Sequence, residues 1–234
     1  MLLAAVAAFA GAFVQSASGM GFALVLSPVL FAVMDPEDAV TAVLILGAVL
    51  CALVLFESRQ VGTYALGRLL VPAVPGLAVG VVVLAALSKE ALQIGVGVVV
   101  VAAALWQLRH GAAALWLSAV VAGFLSGVLT TSISVNGPPL ALWLESERVT
   151  PAVFRATLAA AFLILDAAGI VLIVSREGFD VVDPGRVGSL LACVLGGYAI
   201  GAAGFRRLDA ERFSAIVSTL VICTGVASIL AGIL

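Results

Sequence analysis

Long apolar runs alternate along the chain with short clusters of charges and turn residues. Eight such runs lie near residues 2–33, 37–56, 68–87, 90–108, 112–144, 150–174, 186–204 and 210–233. Six of them are about 20 residues long, enough for a helix to cross a hydrocarbon layer about 30 Å thick. The first and fifth exceed 30 residues. They are too long for one straight crossing and too short for two ordinary ones. Both are interrupted midway. In the first, Gln15-Ser16-Ala17-Ser18-Gly19-Met20-Gly21 is followed by Ser27-Pro28; in the fifth, Thr130-Thr131-Ser132-Ile133-Ser134 is followed by Asn136-Gly137-Pro138-Pro139. Polar, Gly/Pro-rich backbone survives at membrane depth only where protein or water shields it from lipid. Each break therefore predicts two short helices folded as a hairpin that enters and leaves on one side.

Composition agrees. Hydrophobic residues make up 64% of the 234 and charged residues 10%, with a mean hydropathy of +1.29. Soluble domains run nearer about 45–50% apolar and about 25% charged. A soluble enzyme, a nucleic-acid binder and a disordered chain are excluded, and the expected surroundings are a lipid bilayer. The net charge of −2 is too balanced to suggest a polyanionic partner. Cys51, Cys193 and Cys223 sit inside apolar runs and His110 is the sole histidine, so no metal or cofactor motif is present. Residues 1–18 have the apolar core and small-residue end of a signal peptide. No positive charge precedes that core, and a related segment recurs in mid-chain, so the stretch reads as mature structure.

Charge bias separates two topologies. If every run crosses once, the basic residues divide five against six. If the two long runs are hairpins, Arg59, Arg68, Arg109, Arg148, Arg155, Arg206, Arg207 and Arg212 share one side, against Lys89, Arg176 and Arg186 on the other. Basic residues favour the cytoplasm. The hairpin topology is expected, in the inner or plasma membrane, with both termini outside the cytoplasm and the loops at 57–67 and 205–212 inside.

The halves 1–110 and 111–234 look related. At an offset of 121, Leu70, Gly76, Ala78, Gly80, Leu87 and Glu90 meet Leu191, Gly197, Ala199, Gly201, Leu208 and Glu211. Ala10-Gly11 meets Ala122-Gly123, and Pro28 and Leu30 meet Pro138 and Leu140 after a slip. Each half then holds one broken hairpin and three crossings. Three is odd, so the second half is inverted. The expected fold is all-α and polytopic, with two inverted repeats and a site at their interface, as in secondary transporters. Gly76-x-x-x-Gly80 and Gly197-x-x-x-Gly201 read as close helix packing.

Candidate substrate ligands cluster at the breaks: Gln15, Ser16, Ser18, Gly19 and Gly21 in the first, and Thr130, Thr131, Ser132, Ser134, Asn136 and Gly137 in the second. Half-helix N-termini and uncharged donors suit a small oxyanion that must also be released. The competing reading is that the hydroxyls bond back to their own helix carbonyls. Arg155 and Asp166 are the charges set furthest inside an apolar run, where a charge needs a partner or water. Arg155 either attracts the anion or snorkels to the interface. Asp166 is the candidate coupling site if the coupling ion is the proton. Trp106, Trp116 and Trp143, near segment ends, fit an interfacial belt.

At these residues the chain resembles the sulfite exporter TauE/SafE family, also described as toluene-sulfonate uptake permeases. The resemblance rests on Gly19-x-Gly21-Phe22 with Pro28-x-Leu30, and on Asn136-Gly137-Pro138-Pro139-Leu140 followed by Phe154-Arg155-Ala156-Thr157-Leu158. The second break lacks the glycine pair of the first and carries Thr131-Ser132-Ile133-Ser134 instead. The resemblance implies transport of sulfite, sulfonates or related small organic anions. No P-loop is present, so an ion gradient or the membrane potential would drive it. Three other readings stand beside this one: a prenyl-phosphate lipid flippase, an intramembrane hydrolase and a non-transporting assembly subunit. The flippase would want more cations than Arg155, and the hydrolase a buried base. The sequence leaves the oligomeric state open.

Overall fold

Both interruptions are real helix ends, and glycine or a left-handed residue makes each one. The structure, a computed structural model, describes residues 1–57, 60–110, 117–179, 183–204 and 210–233, without the side chains of 17, 107–110 and 203–221. Helix α1 (Leu2–Ser18) stops at Gly19, whose φ of 85° is left-handed and whose N–H bonds the Gln15 carbonyl at 2.8 Å. Gly21, at φ 121°, then turns the chain into α2 (Phe22–Val33). The later break runs from α6 (Ala119–Ile133) through left-handed Ser134 to α7 (Gly137–Ser146). Pro138 and Pro139 sit in the first turn of α7, where a missing N–H costs no helical bond. At 12 and 10 residues, α2 and α7 are too short to cross about 30 Å. Each packs against the helix before it.

The other helices are α3 (Pro36–Glu57), α4 (Thr63–Ala86), α5 (Lys89–His110), α8 (Pro151–Glu177), α9 (Pro184–Gly204) and α10 (Ala210–Ile233). Among the described residues the chain is all helix, and α3, α4, α5, α8 and α9 are long and apolar enough to cross a membrane. The eight apolar runs thus appear as ten helices among the described residues. α4 starts earlier than its apolar run because its polar first turn is anchored. Gly62 N–H donates to Thr157 Oγ1 at 2.9 Å, and Arg68 lies 5.1 Å from the Trp143 ring and 3.6 Å from Glu147. Trp143 is accordingly buried and belongs to no lipid-facing belt, and Trp116 lies outside the described residues.

Packing crosses between early and late helices: α4 lies along α6, α9 along α1, α3 on α8, and α5 on α10. The paired glycines explain the first two contacts. A Cβ on Gly76 or Gly80 would strike the α6 carbonyls of Phe124 or Val128, and one on Gly197 would strike the Phe9 carbonyl of α1. A Cβ on Gly201 would meet Ser16 Oγ and, at 2.7 Å, the Phe13 carbonyl. Small residues let helix backbones touch where no water-driven force separates side chains from lipid. The contacts also fix directions. Gly123 and Gly127 face Leu69 and Ala73, so α4 and α6 run parallel; Phe9 and Phe13 face Gly197 and Gly201, so α1 and α9 do too. α4 and α8 are joined near their starts by the Gly62–Thr157 bond and near their ends by Arg176 Nη1 donating to the Val81 carbonyl at 3.4 Å, again parallel.

A candidate anion site between the two helix breaks

The two breaks, 115 residues apart in sequence, meet at one cavity. Its walls come from Gln15 and 20–24 at the first break, 134–137 at the second, Val43, Gly47 and Cys51 on α3, and Phe162 and Asp166 on α8. Its volume is about 30 Å³, room for two or three waters at about 10–15 Å³ each. That is the scale of a small ion. Gly47 stands at the middle of α3, and a Cβ there would lie 2.9 Å from Asp166 Oδ2 on facing α8.

Each break is held by an amide side chain. Gln15 accepts from the Phe22 N–H through Oε1 at 3.2 Å, capping α2, and points its Nε2 at Cys51 Sγ, 3.3 Å away. Asn136 donates from Nδ2 to Asp166 Oδ1 at 3.0 Å. The first intrahelical bond of α2 runs from Val25 N–H to the Gly21 carbonyl, so the N–H groups of Ala23 and Leu24 precede any helical acceptor. Both residues line the cavity. At α7 the two prolines leave Gly137 N–H as the corresponding donor. Ser134 Oγ is buried without a partner among the described residues. Among the described residues none with a positive side chain lines the cavity, and Asp166, 5% exposed, is its acidic member.

The candidates divide accordingly. Gln15, Gly21, Ser134, Asn136, Gly137 and Asp166 line the cavity, whereas Ser16, Ser18, Gly19, Thr130, Thr131, Ser132 and Arg155 do not. The hydroxyls of the second group bond carbonyls: Ser16 to Phe13, Ser18 to Val14, Thr130 to Ser126, Ser132 to Val128, and Thr131 to Leu77 across on α4. Arg155 reaches the first break from behind. Its Nη2 donates to the Ser16 carbonyl at 2.7 Å, and a Cβ on Gly19 would lie 2.9 Å from its Cγ.

Gly47, Cys51 and Phe162 are cavity residues that patterning missed. A usable signal existed in the chain: Pro36 and Pro151, each opening a long helix, stand 115 residues apart, as do left-handed Gly19 and Ser134. The same offset pairs Gly21 with Asn136, Gly47 with Phe162, and Cys51 with Asp166, all on the cavity wall. The slip that aligns Pro28 with Pro138 misses this register, because Pro28 lies inside α2 and Pro138 in the first turn of α7.

Long apolar helices around a cavity that gathers Gln15, Ser134, Asn136 and Asp166 define a multi-pass integral membrane protein. The family model for the sulfite exporter TauE/SafE matches residues 3–228, nearly the whole chain. The chain belongs to this family, whose members are membrane transporters and not enzymes. No curated protein and no solved structure matches it.

Proposed function

We propose that the protein is a secondary transporter of a small sulfur oxyanion, sulfite or an organosulfonate, working by alternating access about the cavity between the two breaks. The observation that carries this reading is the shared wall: both half-helix starts, α2 and α7, bring free N–H donors to one ion-sized space. Fixed dipoles hold an anion without trapping it, which suits a site that must release its cargo.

The directions of the helices support two inverted repeats, 1–110 and 111–234, each with a re-entrant hairpin. Since α4 and α8 run parallel and α5 crosses once between them, the α6–α7 segment makes no net crossing. α9 runs opposite to α8, and α1 runs with α9, so α1 starts on the side where α5 starts. The Lys89–Asp35 pair, 3.9 Å, returns the end of α2 to that same side. Assigning the Arg-rich side to the cytoplasm puts both termini outside, in the cell membrane.

The test is uptake into proteoliposomes containing the purified chain, with labelled sulfite, taurine, an alkyl sulfonate and an aromatic sulfonate, against sulfate and a carboxylate. Saturable flux of a sulfur anion is expected. Absence of flux for the whole panel under imposed pH, sodium and potential gradients would sink the reading.

A further inference from the structure

The cavity holds a carboxyl beside the donors that would receive an anion. Asp166 Oδ1 accepts from Asn136, its one hydrogen bond among the described residues, and Oδ2 lies against Gly47. No lysine or arginine among the described residues shares the wall. Two negative charges about 4 Å apart, at an effective dielectric of about 20, disfavour joint occupancy by about a thousandfold. In other anion sites a fixed cation removes that conflict. Here a proton on the carboxyl does so.

We propose that the anion occupies this cavity only together with a proton on Asp166, so that anion and proton cross the membrane in the same direction in each cycle. This rests on the anion-transport reading above. Protonation does two things at once: it removes the repelling charge, and it turns a pure acceptor into an O–H donor. Binding of the two ligands is then reciprocal, each tightening the other by the same factor. The groups facing Asp166 leave it this role. From α3 comes the Cys51 thiol, from the first break the neutral Gln15, and from the second Asn136 and Ser134. α4 and α6, which also pack on α8, bring no charged side chain to the cavity. Arg155, on α8 itself, is bonded to the Ser16 carbonyl.

The probe is a sulfonate, which keeps its charge between about pH 5 and 8, so that any pH dependence belongs to the protein. Full-length protein is reconstituted in proteoliposomes with a trapped pH dye, and an outward or inward sulfonate gradient is imposed. The wild type is expected to move about one proton with each sulfonate, in the same direction. Its apparent affinity should weaken by up to about tenfold per pH unit once the carboxyl is ionised. Asp166→Asn should move no protons with the sulfonate, and its sulfonate exchange should be flat with pH. Asp166→Glu should restore proton movement with a displaced pH midpoint. Sulfonate flux in the wild type with no proton movement, or flux that follows a sodium gradient instead, overturns the proposal. So does proton movement that persists in Asp166→Asn. If sulfonate and sulfite fail to move under every gradient, the transport reading falls first and takes the coupling with it.

Discussion

Arg155 and Ser16, 139 residues apart, are joined by a 2.7 Å hydrogen bond from guanidinium to carbonyl. Ser16 lies in the last turn of α1, where carbonyls have no helical donor, and a cation there also faces the negative end of the helix dipole. Arg155 thus clamps the end of the first half-helix from outside the cavity. Arg155→Ala is expected to cost about 1.5–3 kcal/mol, the range for hydrogen bonds to charged groups. Thermal unfolding in detergent checks this. A variant as stable as wild type but with weaker substrate affinity would instead give the guanidinium a direct role on the anion.

Gly47 is the position where α3 yields space to Asp166. Gly47→Ala puts a methyl 2.9 Å from Oδ2, and overpacking of this kind costs about 1–3 kcal/mol. Much of that should fall on the cavity, as a roughly tenfold loss of anion affinity measured by equilibrium binding. Unchanged affinity would mean that the carboxyl moves freely without consequence.

The glycine contacts between α4 and α6 predict a contrast within one helix. Gly80→Ala, whose Cβ would strike Thr131 Oγ1 and the Val128 carbonyl, should lower stability by about 1–3 kcal/mol. Gly67→Ala, with nothing within 4 Å, should be neutral or slightly stabilising. Equal melting temperatures for the two variants would contradict this packing.

Single cysteines in a background lacking Cys51, Cys193 and Cys223 test the topology. Positions 62 and 147 should label from the cytoplasm, and positions 35, 88 and 178 from outside. Labelling of 62 and 147 from opposite sides would rule out the second hairpin.

The two interruptions were legible because glycine, proline and hydroxyl residues have no other reason to gather inside apolar runs. Their consequences were only partly so. A serine that bonds its own helix and one that faces a cavity look alike in sequence: Ser132 and Ser134 stand two residues apart, yet the first donates to the Val128 carbonyl and the second lines the cavity with no partner among the described residues. Asp166 was visible because charge is rare in such a run. Cys51 was not, since an apolar run accommodates a thiol without any mark of function. Arg155 stands out in the sequence as a charge inside an apolar run, but its partner is a main-chain carbonyl, which no residue pattern advertises.

The pairing of α9 with α1 bears on how the protein is made. Phe9 leaves the ribosome 188 residues before Gly197, the residue that packs on its carbonyl. Domains normally assemble as synthesis proceeds. Here the earliest hairpin cannot find its bracket, nor Ser16 its arginine, until most of the chain has been inserted. Its polar turn must meanwhile be sheltered by neighbouring early helices or by the insertion machinery. Truncation or stalling before α9 should therefore leave a chain that is inserted yet open to membrane quality-control proteases, however well its first eight helices are formed.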